Sequence, residues 1–164
     1  MLYLSTLLRQ TPANIRSNAA KVRISRIKAS VDTDQTGEHK LFLASARTRM
    51  KGKTPWFVTI KLYGTHRADG VMKPSSRCWV HCTCPYFQYY VEVALTARGS
   101  SNVIMSNGSF PKIRNPRMRP YLCKHLYAAG LVAPKVRAKR RPRAAVTEQE
   151  LDRLIRLLQP YIPA

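Results

Sequence analysis

Acidic side chains are what this chain lacks most: 8 Asp and Glu stand against 29 Lys and Arg, a formal net charge of +21 over 164 residues. Glu92 is the only acid between Asp69 and Glu148. That scarcity argues against carboxylate-based acid–base chemistry and against any partner of like charge, and it points to an anionic counterpart, with nucleic acid the obvious one. Long apolar runs are also missing, so no segment reads as a membrane span. The apolar opening, residues 1–8, has neither the preceding basic residues nor the following small-residue site of a secretory signal. Arg9, Arg16, Lys21, Arg23, Arg26 and Lys28, with no acid before Asp32, leave an organelle transit peptide as the competing reading of the first thirty residues. Glycine is scarce, at 7 residues, and no phosphate-cradling loop, dinucleotide turn or nucleophile elbow occurs. The His-x-Glu of zinc deaminases is absent too. These absences lead to the expectation that the protein is not an enzyme.

Hydrophobic residues make up 45% of the chain, with 8 Tyr, 5 Met and 2 Trp, which separates it from a disordered polycation. Its length suits one domain with tails. The reading divides it into an N-terminal segment (1–20), a domain (21–133), a basic linker (134–146) and a C-terminal amphipathic helix (147–164). A short helix is expected over 2–8. The alternation Val22, Ile24 starts a series of β-type segments at 40–50, 56–63 and 77–82, turned at Lys51-Gly52-Lys53 and at Asp69-Gly70, for a three-stranded meander. Pro85 opens an apolar stripe that predicts a helix over 85–97. Residues 99–120 read as a loop with a small hairpin near 103–110, and 121–132 as a second helix stopped by Pro134. The Thr147-Glu148-Gln149-Glu150 capping box precedes Leu151, Leu154, Ile155 and Leu158. The fold class expected is α+β: a small antiparallel sheet of three to four strands with flanking helices around a structural zinc site.

The chemistry sits in two short clusters, Cys82-Thr83-Cys84 and Cys123-Lys124-His125, which hold three of the 4 cysteines. Thiolate and imidazole are the ligands a closed tetrahedral Zn²⁺ site takes, one pair from a strand end and one from a helix start. Such paired spacing favours metal over disulfides. Cys78 and His81 are the competing ligands, His81 disfavoured because neighbours in a strand face opposite ways. The bland alternative is buried core cysteines beside an incidental histidine.

The pattern Cys82-x-Cys84 followed by Cys123-x-His125, over strands and then a helix, resembles the SWIM-type zinc finger. The resemblance covers 77–132 and implies a zinc-stabilised ββα module for nucleic-acid or protein binding, with Cys82, Cys84, Cys123 and His125 as ligands. The segment 85–122 between the pairs is longer than is usual for that family. The stretch Cys84-Pro85-Tyr86-Phe87, with Ser106-Asn107-Gly108 and Asn115-Pro116-Arg117, is similar to SWIM-type proteins of large tailed bacteriophages, which implies a host cytoplasmic or virion location.

For binding, Lys112, Arg114, Arg117, Arg119, Lys124, Lys135, Arg137, Lys139, Arg140, Arg141 and Arg143 gather around and after the second ligand pair, where phosphate contact by counterion release is the expectation, DNA ahead of RNA. Tyr86, Tyr89, Tyr90, Phe110 and Tyr121 are candidates to stack on unpaired bases, although most aromatics of a small domain are core. The rival expectation is a minor structural part of a phage particle, docked on other proteins through the C-terminal helix and the N-terminal segment.

Overall fold

The computed structural model describes residues 1–48, 54–64, 71–73 and 75–140, with Arg140 through its backbone alone. In chain order the elements are β1 (Leu2–Tyr3), α1 (Leu4–Gln10), α2 (Ala13–Ala19), β2 (Val22–Asp34), β3 (Gly37–Thr48), β4 (Trp56–Tyr63), β5 (Arg77–Cys82), α3 (Pro85–Tyr90), α4 (Glu92–Thr96), α5 (Lys124–Val132), a 3₁₀ turn (Ala133–Lys135) and β6 (Lys139–Arg140). The class is α+β, as expected. The sheet is larger than three or four strands: its order is β1-β5-β4-β3-β2-β6, a four-stranded antiparallel meander with a two-residue strand at each edge, β6 running parallel. The predicted C-terminal helix, Arg141, Arg143, Lys51-Gly52-Lys53 and Asp69-Gly70 lie outside the described residues.

Inward-facing residues of β3, β4 and β5 build one apolar layer. Val58, Ile60 and Leu62 of β4 are buried, and the pairing sets Phe42, Ile60 and Val80 in one row and Ala44, Val58 and Cys82 in the next. Leu4 and Leu7 of α1, Ile15 of α2 and Leu126 and Ala129 of α5 close over that layer. Each large side chain so buried contributes about 1.5–3 kcal/mol. Gly130 lets α1 approach α5, since a Cβ there would sit 3.3 Å from Leu4 Cδ1 and 3.4 Å from Leu8 Cδ2. Residues 1–20 are therefore part of the domain core, and the helix expected over 2–8 starts at Leu4, because Leu2 and Tyr3 pair with the edge of β5.

β2 carries a bulge between Ser25 and Lys28, where Arg26 takes a φ of 51° and Ile27 is left exposed. The helix expected over 85–97 breaks at Val91, whose φ is −125°. The Tyr90 carbonyl at that break accepts from Asn115 Nδ2 at 2.9 Å. No hairpin forms near 103–110, which has no regular structure. The start of the expected basic linker joins the domain: Pro134 is buried, and Lys139 and Arg140 pair with Ser30 and Val31. Lys40, fully buried in β3, explains this docking, for its ammonium donates to the Pro134 carbonyl at 3.2 Å and to the Val136 carbonyl. Among the described residues no helix is long and apolar enough to cross a membrane.

Candidate metal centre and the basic surface beside it

The end of β5 and the starts of α3 and α5 converge. Cys82 is the last residue of β5, and just beyond it Thr83 ties to β4, its hydroxyl accepting from Phe57 N at 3.0 Å and its own N–H donating to the Phe57 carbonyl. Pro85, at the first turn of α3, suits a helix start, and Cys84 is the N-cap, its Sγ accepting from Phe87 N at 3.4 Å. Cys123 repeats the device as N-cap of α5, accepting from Leu126 N at 3.5 Å, one place ahead of the first turn where the sequence put it. His125 follows in that first turn. Upstream, the Thr11 hydroxyl accepts from Leu122 N at 3.1 Å and so anchors the approach to Cys123 from the α1–α2 corner.

The ligand atoms of Cys82, Cys84, Cys123 and His125 lie within 4.8 Å of one another, and all four residues are buried. Cys82 Sγ stands 3.9 Å from His125 Nδ1, while His125 Nε2 is buried with no hydrogen-bond partner. Bond lengths of about 2.3 Å to sulfur and 2.0–2.1 Å to nitrogen make the edges of a tetrahedral site about 3.6–3.8 Å, so the donors need draw in by no more than about 1 Å to close on one ion. An orphaned buried imidazole nitrogen among three thiols fits that group and has little other reason to persist. Burial pushes the Cys82 and Cys123 thiols up, whereas hydrogen bonds from Cys123 and Cys82 hold Cys84 well below the ordinary thiol value. Helix N-termini at Cys84 and Cys123 favour the thiolate form further. The cluster can hold a metal ion.

The competing ligands have other places. Cys78 is a core residue whose thiol burial pushes up to about 12. His81 faces the buried carboxylate of Glu92, Nδ1 to Oε1 3.7 Å, and packs edge-on to Phe87. Desolvation holds the His81 ring below its ordinary value. Glu92 itself accepts from the backbone N–H groups of Ile104 (3.2 Å), Met105 (3.3 Å) and Ser106 (2.9 Å). Asn115 gives the same service further on, donating to the Arg119 carbonyl and accepting from Arg119 N. Two polar side chains thus order a loop without regular structure. A lone acid in an acid-free stretch was the one signal available for Glu92.

Of the cations expected to meet phosphate, Lys112, Arg114, Arg117 and Arg119 are exposed on the segment that Asn115 organises, and Lys124 is half-buried between two metal-site residues. Lys135, Arg137 and Lys139 are exposed along the strand-forming tail, apart from the first group in sequence. Arg140 contributes its backbone to β6, and Arg141 and Arg143 lie outside the described residues. Among the aromatics, Tyr121 is buried, with its hydroxyl 3.1 Å from that of Tyr86, and only Tyr89 and Phe110 are strongly exposed, at 63% and 71%. Comparison with protein-family models, with curated proteins and with solved structures yields no match.

Proposed function

We propose that the protein is a non-catalytic, zinc-stabilised nucleic-acid-binding protein of SWIM-like type, with Zn²⁺ held by Cys82, Cys84, Cys123 and His125 and a cationic surface that engages the phosphate backbone. The observation that carries this reading is a buried cluster of four soft donors sitting directly under an acid-free, arginine-rich segment. Three thiols and one imidazole select a borderline-soft cation such as Zn²⁺ over Mg²⁺ or Ca²⁺, and four protein donors leave no position for a reacting water. The ion's contribution is thus to join β5, α3 and α5, and the chain's contribution is to present Arg114, Arg117, Arg119 and Lys124 on what it joins.

The test is a salt titration of affinity for a labelled oligonucleotide. Phosphate contact predicts that log K falls linearly with log salt, with a slope of about −3 to −4 for four neutralised phosphates. A flat response, or no binding at low salt, overturns the reading. A second reading, a protein-docked part of a phage particle, draws on one observation: Val103, Ile104, Met105, Phe110 and Ile113 expose apolar side chains on the same loop, Ile113 by 87%. Weak or sub-stoichiometric DNA binding at low salt favours that alternative.

A further inference from the structure

Two cavities open above the metal cluster, of about 500 and 410 Å³. Both are bounded by Asn14, Ile15, Tyr86 and Arg114, so they are two compartments of one groove between α2 and the 114–121 segment. The first compartment reaches Lys124 and the second reaches Arg117 and Arg119, and among the described residues no acid lines either. The opposite wall is made of exposed side-chain amides: Asn14 and Asn18, one helical turn apart on α2, and Gln10 at the end of α1. Volumes of this size are those of pockets that enclose small ligands, such as one or two nucleotides.

The walls are fixed. Arg114 lies over the Tyr90 ring with Cζ 5.4 Å from its centroid, and Tyr90 packs on Tyr86 at 5.1 Å. A guanidinium held on its face keeps its N–H edge free for a phosphate. The Tyr86 hydroxyl meets that of Tyr121 at 3.1 Å. Lys124 lies between Cys123 and His125 in sequence, and Tyr86 stands two residues after Cys84, so whatever organises the cluster also sets the floor of the groove.

Resting on the nucleic-acid reading above, we infer that this groove is a single-strand binding site: guanidinium and ammonium groups on one wall take the phosphates while the Asn14 and Asn18 amides meet the base edges of the same nucleotides. Side-chain amides carry both donors and acceptors, which is what an unpaired Watson–Crick edge needs. In a duplex those edges are paired with each other and stay inside the stack, where the amides cannot reach them while the cations hold the backbone. A charged groove with an aromatic wall is the usual device for unpaired strands.

The experiment compares affinities of the full chain for a single-stranded 12-mer and its duplex by fluorescence anisotropy, with N14A/N18A, R114A and K135A/R137A. Alanine is the better helix former, so N14A/N18A should keep the fold, and metal content and melting temperature check this. The inference expects tighter binding to the single strand, about tenfold weaker binding of it by N14A/N18A with the duplex affinity unmoved, and a greater loss for single strand than duplex in R114A. K135A/R137A, outside the groove, should weaken both forms by the same factor. Equal affinity for both forms, or N14A/N18A binding single strand as tightly as the parent, overturns the groove while leaving the nucleic-acid reading intact. Absence of binding to either form at low salt overturns both. A poly-glutamate chain that displaces the single strand as well as unlabelled oligonucleotide does, at matched charge, also overturns it, since the site would then serve any polyanion.

Discussion

Substituting one ligand, Cys84→Ser, tests the metal centre against a matched core change, Cys78→Ser. Both positions are buried cysteines, 2% and 0% exposed. At Cys78 the new hydroxyl enters an apolar layer, at about 1–3 kcal/mol. For a chain of this size that is a fall in Tm of about 2–4 °C per kcal/mol. At Cys84 the same swap removes a thiolate from a site whose metal would contribute about 10–16 kcal/mol at neutral pH, against a total domain stability of about 5–15 kcal/mol. The two magnitudes decide the outcome: Cys84→Ser should lose stoichiometric zinc and its cooperative melting transition, and Cys78→Ser should keep both at a lower Tm. Elemental analysis and circular dichroism melts, with and without a chelator, read this directly. Parent protein purified under reducing conditions with no stoichiometric metal, or a chelator that leaves its melt untouched, would refute the reasoning.

Three further outcomes follow from particular contacts. Lys40→Met strips the Pro134 and Val136 carbonyls of their charged donor and should cost about 1–3 kcal/mol in denaturant unfolding, with protease cleavage appearing near 133–140. Glu92→Gln removes the charge that collects three backbone N–H groups, so the amides of Ile104, Met105 and Ser106 should lose hydrogen-exchange protection while those of β4 keep theirs. Asp34 experiences some burial that would raise its pKa, but hydrogen bonds from Lys61 (2.6 Å) and Tyr63 (2.8 Å) outweigh it and hold the carboxyl below its ordinary 3.8. A depressed carboxylate stabilises above its unfolded value and loses that contribution as pH falls through the folded one. Asp34→Asn should therefore lower Tm slightly at pH 7, by a pair worth on the order of 1 kcal/mol or less, and the gap should close as pH falls below about 4.

The parts of the structure that were legible from residues alone are those with a short period or a rigid chemistry. Cys-x-Cys and Cys-x-His spacing located the cluster because few other uses bring four soft donors into two such pairs; Trp56–Tyr63 alternates cleanly and its bounds are met, and those of Arg77–Cys82 are met although Val80, His81 and Cys82 are all buried. β2 was read only from Val22 and Ile24, since the bulge at Arg26 flips the pattern and sends Ile27 outward. α2 escaped notice because only Ile15 and Ala19 of its seven residues are buried, too few to register as a stripe. Lys40 reads as a surface residue, yet it occupies an inward position in line with Phe42, where the carbonyls of Pro134 in the 3₁₀ turn and Val136 just after it accept from its ammonium. Spacing assigns Cys84 to a strand end and Cys123 to a helix start, but that each sulfur caps its helix is a matter of backbone geometry that spacing does not encode.

The location of the cluster also answers a question of charge. Three thiolates and a neutral imidazole around a divalent ion would leave roughly one net negative charge, buried beside the cavity that Arg114 and Lys124 line together with Cys84 and His125. In a chain with a formal charge of +21, that is a favourable place for such a charge, since each nearby cation that would repel its neighbours gains a partner it does not have to share with solvent. A Cys₂His₂ set would leave the centre neutral, and the surrounding cations would lose that negative partner. The charge effect can be measured: Cys123→His should still bind Zn²⁺ through four donors, yet with lower affinity than the parent and with a loss that deepens as salt is lowered. A loss independent of ionic strength would assign the effect to geometry at the α5 N-cap, where Cys123 Sγ accepts from Leu126 N, and not to the surrounding field.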